Sequence, residues 1–321
     1  MTFSGGHAAK GRMPLSNTRS ARFFAFLAAG FMALAASLAW PDTAYAWGPG
    51  AHMVMGDWLL GNLSLLPLAV AEPLARFPGF FLHGCLSADI FIGKGSVAKK
   101  GHSHNWESGY ALLARARSAR SRAYAYGYLS HLAADTVAHN VFVPSCMVLA
   151  PGNGRMAHVY LEMQADRMVA WDSSQALASF HGRGSGAAAN MLRKTLRRNA
   201  VKFRLQSGVY QGSIAVGGSS IWRRSLRMVD SLFPDHVHAA RLADMLDVSM
   251  RAVVDVLRGG ESSRVLRLDP VGTAALAEAV AIRSGMGFFP AAGNAPASPV
   301  RLPEPLDSLS VVCLAKLKVA A

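Results

Sequence analysis

Apolar residues recur at intervals of three and four along several long stretches of the chain. This spacing puts them on one face of a helix, because an α-helix repeats about every 3.6 residues. The stretches are residues 53–66, 110–132, 156–170, 187–205 and 239–257. Strand-like alternation is scarce, and its best example, residues 209–216, is interrupted by Gly212. The pattern therefore predicts an all-α fold, a multi-helix bundle.

Glycine and proline cluster at 93–101, 151–154 and 182–186, where short loops are expected to separate helices. Five prolines lie between residues 290 and 305, which predicts an extended, Pro-rich tail before a short last segment, 306–319. No internal repeat is visible. We expect a single helical domain over residues 47–321.

The first 46 residues have the layout of a secretory signal peptide. Four basic residues precede an apolar run at 23–38, and Ala44-Tyr45-Ala46 provides a small-x-small cleavage site. The alternative is an uncleaved membrane anchor, although the run is short for a bilayer span. We favour cleavage after Ala46 and a secreted or periplasmic mature chain that is soluble.

Composition narrows the classes of protein. With 51% hydrophobic residues the chain is not intrinsically disordered. Its three cysteines, Cys85, Cys146 and Cys313, form no C-x-x-C pair, which argues against a cysteine zinc site. The excess of 33 Lys+Arg over 19 Asp+Glu favours anionic partners. The basic residues between 193 and 204, however, recur at helical spacing and are better explained as a solvated helix face.

The candidate chemistry is concentrated in residues 47–166, which hold seven of the histidines. His131, Asp135 and His139 follow at intervals of four and so share one helix face. His131 and His139 are about 12 Å apart along a helix axis, too far for one ion to bind both. These three residues therefore predict at least two metal ions with Asp135 between them.

A second pair, His158 and Glu162, has the same interval of four and can chelate one ion. A lone pair of this kind is usually structural, but two pairs in a histidine-rich region favour a metal site. Nitrogen and oxygen ligands without thiolate fit zinc best. Further candidates are His52, Asp89, and either His102 or His104, of which we favour His104.

Trp47 is a candidate through its backbone. Cleavage after Ala46 would free its α-amine, whose pKa of about 7.7–8.0 permits loss of a proton to a metal. The amine and the carbonyl oxygen of the same residue could chelate an ion. In the uncleaved chain the nitrogen is an amide and cannot bind.

Together these residues resemble the bacterial zinc-dependent phospholipase C family, whose all-helical fold is shared with S1/P1 nucleases. The resemblance covers residues 47–170 and implies a site of three zinc ions. It implies that Trp47 and His52 hold one ion. The second would be held by Asp89, His104, His131 and Asp135, with Asp135 bridging to the first. The third would be held by His139, His158 and Glu162.

One spacing departs from the secreted phospholipases C and the S1/P1 nucleases. Three residues separate Asp135 from His139, where those proteins have five. The shorter spacing is similar to that of the N-terminal domain of GPI-specific phospholipase D. The resemblance therefore leaves open which phosphoester bond is cleaved.

The resemblance implies a zinc-dependent phosphodiesterase, with phospholipid as the leading substrate, a possible membrane-surface contact, and Asp89 as general base or water-orienting group. Alternatives are phospholipase D-type cleavage, an S1/P1-like nuclease acting on nucleic acid, and a non-catalytic exported metal- or membrane-binding protein. Among the remaining candidates we interpret His83 as a core histidine and Asp166 as an orienting partner of a ligand histidine. We place His181 in a loop, and His236 and His238 on the surface.

The signal peptide gives a direct prediction. N-terminal sequencing of the exported protein should find Trp47 as the first residue, because Ala44 and Ala46 provide a small-x-small cleavage site after the apolar run. A mature chain beginning at another residue would contradict both the cleavage site and the proposed role of the Trp47 amine.

Overall fold

The computed structural model describes residues 47–91, 101–147, 154–232, 239–284 and 302–309. Over these residues the chain is helical and contains no β-strand, which confirms the predicted all-α class. They lie within one compact unit that spans Trp40–Ala321. Among them, no helix combines the length and the apolar character needed to span a bilayer.

Helices of regular α type make up most of the fold. They are α1 (Pro49–Leu60), α2 (Leu68–Arg76), α3 (Pro78–Leu86), α4 (Trp106–Arg115), α5 (Ala119–Val137), α6 (Val143–Met147), α7 (Gly154–Met168), α8 (Ser173–His181), α9 (Ser185–Thr195), α10 (Ala200–Gly217), α11 (Ser220–Leu232), α12 (Ala239–Gly259), α13 (Thr273–Ser284) and α14 (Glu304–Asp307). Short 3₁₀ turns occupy Leu63–Leu65, Ser87–Ile90, Gly260–Ser262 and Arg264–Arg267, and a π-helical turn occupies Ala138–Phe142.

Two of the predicted helices are each divided in the structure. The stretch 110–132 is interrupted before α5, where Ser118 and Ser121 form a reciprocal capping box. The stretch 187–205 is interrupted at Arg197, whose φ of 51° cannot continue a helix, and Asn199 then caps α10. Polar capping residues inside an apolar periodicity thus mark helix boundaries that the spacing alone does not show.

The strand prediction for residues 209–216 is wrong, because this segment lies within α10. Tyr210 and Ile214, four residues apart, are both buried, which is helical spacing. Val209 is exposed on the other side of the same helix. Apolar residues on two faces produced a pattern that could be read as alternation.

Helix α5 is the centre of the bundle. It packs most extensively against α3 and α12, and it also contacts α4 and α2. From Tyr124 to Val137 nearly all of its side chains are buried, including the polar His131 and Asp135. The helix therefore brings ionisable groups into the apolar core.

The packing of α3 on α5 depends on two glycines. A Cβ atom on Gly84 would overlap the carbonyl oxygen of Tyr124, and one on Gly127 would overlap that of Phe81. The two helix backbones therefore touch directly at this crossing. This close approach places the last turn of α3, with the 3₁₀ turn that follows it, beside the polar face of α5.

Several predictions concern residues outside the described ranges. They include the signal peptide, most of the loop at 93–101, the tail up to residue 301 and most of the last segment. Of that last segment, residues 306–309 are described, and they include the end of the short helix α14.

The glycine crossing predicts the effect of a single methyl group. Gly127→Ala should lower the free energy of unfolding by about 1–3 kcal/mol, because the helices must separate to avoid overlap. Gly212→Ala is the matched control, since its Cβ would have nothing within 4 Å and α10 should become slightly more stable. Urea unfolding measures both. Equal effects would show that the crossing is not tightly packed.

Candidate metal centre

Two groups of buried side chains meet at spacings suited to metal ions. Within the described part of the chain, the ligand atoms of each group lie within 4.8 Å of one another. The first group contains Asp89, His104, His131 and Asp135, and the second contains His139, His158 and Glu162. Nearly every residue predicted as a ligand from the sequence is therefore assigned to one of two groups by the fold.

The first group is built around α5. His131 and Asp135 are four residues apart on this helix, and their side chains meet at 3.1 Å between Nε2 and Oδ2. The 3₁₀ turn after α3 brings in Asp89, and the segment before α4 brings in His104. His104 Nε2 lies 3.1 Å from Asp89 Oδ1 and 3.0 Å from Asp135 Oδ2.

The spacing of these atoms fits a tetrahedral ion. Nε2 of His104 and Nε2 of His131 are 3.0 Å apart. Ligands at about 2.0–2.1 Å from a tetrahedral zinc ion lie about 3.3 Å from one another. Four converging nitrogen and oxygen atoms at close to this separation, shielded from water, match a zinc site in donor type and in size.

His52 extends the first group through the other oxygen of Asp135. Its Nε2 lies 3.2 Å from Asp135 Oδ1, whereas His104 and His131 face Oδ2. The ring of His52 stacks on that of His131 with 3.9 Å between the centroids. A carboxylate with nitrogen ligands at each oxygen has the geometry of a bridge between two ions.

The indole of Trp47 fixes the start of the described chain against α5. It is fully buried and stacked on Phe142, and its Nε1 lies 3.1 Å from the carbonyl oxygen of Ala134, to which it donates. Nε1 is also 3.2 Å from Ser249 Oγ on α12. Residue 47 is thus held beside the residue that precedes Asp135.

The second group depends on the π-helical turn Ala138–Phe142. This turn follows α5 without a break and carries His139. On α7, His158 Nε2 and Glu162 Oε1 are 2.9 Å apart, and the ring of His158 lies edge-to-face with that of His139 at 5.3 Å. The widened turn delivers His139 to α7, and such turns are frequent at functional sites.

Backbone carbonyls orient two of the histidines. Nδ1 of His131 is 2.7 Å from the carbonyl oxygen of Cys85, and Nδ1 of His139 is 2.6 Å from that of Pro270. A carbonyl oxygen only accepts, so each Nδ1 carries the proton and each Nε2 keeps a lone pair. This is the arrangement in which metal-binding histidines are usually held.

The charges of the first group reinforce one another. Burial raises the pKa of Asp135. The charge of His131 and the hydrogen bonds from His104 and His131 outweigh burial and hold that pKa well below its ordinary value. Burial lowers the pKa of His131, but Asp135 and Asp89 outweigh it and raise that pKa. Asp135 is therefore an anion in the core, and a buried anion requires a cation nearby.

In the second group the pKa of the carboxyl is shifted in the opposite direction. Burial, followed by the charges of Asp89 and Asp135, raises the pKa of Glu162 well above its ordinary value. Without a nearby cation this carboxyl therefore tends to hold a proton. A divalent ion between Glu162 and its two histidines would replace that proton.

Sequence reasoning did not find the loop that supports the second group. Besides Pro270, Asp269 contributes by accepting at its carbonyl oxygen from Asn140 Nδ2, at 2.8 Å. Gly272, with φ of 61°, packs against the backbone of His139 where a Cβ would overlap it. Carbonyl contacts of this kind leave no residue-type signal in a sequence.

Asp166 acts on a helix rather than directly on a ligand histidine. Its two oxygens accept from the backbone amides of Gly50 and Ala51, at 2.8 and 2.9 Å, and so cap α1, the helix that carries His52. Burial raises the pKa of Asp166 to about 7, against the opposing effect of the two amides. The cap fixes where α1 begins.

The remaining candidates lie outside the two groups. Nδ1 of His102 is 3.0 Å from the amide of His104, from which it accepts, so the structure places His104 rather than His102 in the first group. His83 is buried between Tyr124 and Phe180. His181 is the last residue of α8, so the loop assignment was wrong. His236 and His238 lie outside the described residues.

No cysteine thiol belongs to either of the two groups. Cys85 and Cys146 are both buried and unbridged, and burial raises the pKa of each thiol. Cys313 lies outside the described residues. The two groups therefore contain only nitrogen and oxygen donors.

Comparison with known families identifies this part of the chain. Residues 51–207 match the family described as zinc dependent phospholipase C, and this part of the chain belongs to that family. The match includes every residue of the two groups and His52, whereas Trp47 and the 269–272 loop lie outside it. No curated protein and no solved structure matches the chain significantly.

Metal analysis tests the two groups separately. Asp135→Asn should weaken zinc binding in the first group at least about 100-fold, since even outer partners of metal ligands change affinity by about 10–100-fold. Glu162→Gln should release only the ion of the second group. Asp172→Asn, the same change at an exposed carboxylate that caps α8, is the control. If both Asp135→Asn and Glu162→Gln keep all of their zinc, the assignment of the two groups as metal sites is contradicted.

Proposed function

We propose that the protein is an exported, zinc-dependent phosphodiesterase of phospholipase C type that cleaves headgroups from phospholipids. The observation that carries the proposal is the bridging position of Asp135, with His52 at one oxygen and His104 and His131 at the other. A buried carboxylate shared in this way suits a multinuclear site. The family match supports the same chemistry.

The proposed ligand sets follow the two groups. His52, with the amine and carbonyl of Trp47 after cleavage, would hold one zinc ion. Asp89, His104, His131 and Asp135 would hold a second, with Asp135 bridging. His139, His158 and Glu162 would hold a third. Three ligands in the last set leave coordination positions for water or substrate, as catalytic zinc sites require.

The charge balance suits an anionic substrate. Three zinc ions against the carboxylates of Asp89, Asp135 and Glu162 give a site of about +3. When bound, zinc polarises a phosphoryl oxygen and lowers the pKa of a coordinated water. The protein contributes rigid placement, because every ligand except Trp47 is a side chain fixed on a helix or beside one.

Asp89 is the proposed general base. It is buried, and its Oδ1 lies 3.1 Å from His104 Nε2 and 3.7 Å from His131 Nε2. A carboxylate oxygen in this position would accept the proton of the attacking water and would orient that water for in-line attack at phosphorus. The leaving alkoxide then takes a proton from solvent.

Four phenylalanines lie near Asp89 in the sequence, and an exposed apolar rim formed by them would favour a lipid substrate. Phe81 and Phe91 are buried in the core, and the rings of Phe77 and Phe80 pack beside the guanidinium of Arg120. These side chains therefore do not form an exposed apolar rim.

Product analysis tests the proposed reaction. The zinc-loaded exported protein should release phosphocholine from phosphatidylcholine, and Asp89→Asn should lower kcat by about 10²–10⁴-fold, the usual contribution of a general base. Zinc content is measured in parallel, so that loss of metal is distinguished from loss of the base.

Other products would identify the alternatives. Release of choline would indicate phospholipase D-type cleavage, and faster hydrolysis of single-stranded DNA would indicate a nuclease. A zinc-loaded protein inactive on both phosphatidylcholine and single-stranded DNA would contradict enzymatic function and favour a non-catalytic metal- or membrane-binding role.

A further inference from the structure

A long segment beside the metal centre carries no acidic residue. From residue 173 to residue 229 there is no Asp or Glu, whereas there are ten Lys and Arg. The segment begins with α8 and ends within α11. Surfaces of soluble proteins usually intersperse both signs, so a one-sign stretch of this length creates a local positive field.

Within this segment, α10 exposes an apolar stripe. Val201, Leu205 and Val209 are 76%, 68% and 54% exposed and follow at intervals of four. The opposite face, with Phe203, Tyr210 and Ile214, is buried in the core. The helix is therefore apolar on both faces, and its packing in the bundle accounts for only one of them.

Cations flank the stripe on both sides. At about 100° per residue, Lys202 and Arg204 project to opposite edges of the stripe, and both are exposed. Arg197 and Lys194 lie just before α10 and are exposed as well. Among the described residues, none of these four makes an ion pair with a carboxylate. We name Val201, Lys202, Arg204, Leu205 and Val209 the α10 surface.

The start of α10 is joined to the segments that carry the first ligand group. Phe203 packs on Phe91, two residues after Asp89, with 5.5 Å between the ring centroids. The guanidinium of Arg198 lies over Phe91 at 5.6 Å and donates to the carbonyl oxygen of Gly101 at 3.0 Å, three residues before His104. The start of α10 is thus anchored against the segments that carry Asp89 and His104.

We propose that the α10 surface docks on an anionic phospholipid bilayer and presents the metal centre to lipid headgroups. Aliphatic side chains with a cation at each edge match a membrane interface, where apolar groups enter the acyl boundary and cations meet the headgroups. Single-stranded nucleic acid would instead call for exposed aromatic rings, and the stripe holds none. The proposal rests on the proposed lipid hydrolase, whose substrate it places at a surface.

Cosedimentation with vesicles tests the docking. The exported, zinc-loaded protein should bind vesicles of equal parts phosphatidylglycerol and phosphatidylcholine more tightly than vesicles of phosphatidylcholine alone. Lys202→Glu with Arg204→Glu should weaken binding at least about tenfold, because each cation near an anionic surface contributes about fivefold. Leu205→Ser with Val209→Ser should weaken binding as well, and added salt should not restore it.

Two pairs of control substitutions test whether binding depends on the α10 surface itself or only on net charge and exposed apolar area. Arg258→Glu with Arg264→Glu makes the same change in net charge outside the segment, and Val280→Ser with Ile282→Ser removes exposed apolar side chains from α13. Both pairs should change binding less than about twofold, as surface substitutions elsewhere do. Losses equal to those at the α10 surface would overturn the proposal.

Other occupants of the surface give different results. If Leu205→Ser with Val209→Ser lowers the free energy of unfolding or dissociates an oligomer, the stripe is covered by protein and the proposal fails. It also fails if wild type retains single-stranded DNA rather than vesicles. The two proposals can fail separately. If wild type binds vesicles and the variants do not, but neither wild type nor any variant hydrolyses a soluble phosphodiester, the result supports docking and refutes the proposed reaction.

Discussion

The burial of Asp135 in the last turn of α5 is the constraint on which the site depends. A carboxylate in the core is stable only among cations or donors, and three histidines from three separate segments supply its surroundings. His131 lies on α5 itself, His52 lies on α1, and His104 lies in the segment directly before α4. The core and the metal centre are consequently one structure, and the glycine crossing at Gly84 and Gly127 serves both.

Much of this could be predicted because the ligands follow helical spacing. His131 and Asp135, like His158 and Glu162, are neighbours on a single helix, so an interval of four suffices to pair them. The separation of His139 from His131 followed from the axial rise of a helix alone. The spacing put Asp135 between His131 and His139, but the second oxygen of Asp135 faces His52, and His139 lies in the other group.

The parts that could not be predicted depend on the backbone or on mixed patterns. Every residue has a carbonyl, so the partners of His131 and His139 at Cys85 and Pro270 left no mark in the composition of those segments. In α10, apolar residues on two faces masked the helical period and suggested a strand. Asp166 was recognised as a supporting residue, but its partner proved to be the first turn of α1.

The carbonyl of Pro270 has a consequence for where the functional unit ends. It holds the imidazole of His139 from a position more than sixty residues beyond the span that matches the family, which stops at residue 207. A gene fragment trimmed to that span would encode every candidate ligand of the two groups and yet lack the carbonyl that orients the imidazole of His139. The candidate site thus extends beyond the part of the chain that matches the family, because a loop in the C-terminal half orients one of its imidazoles.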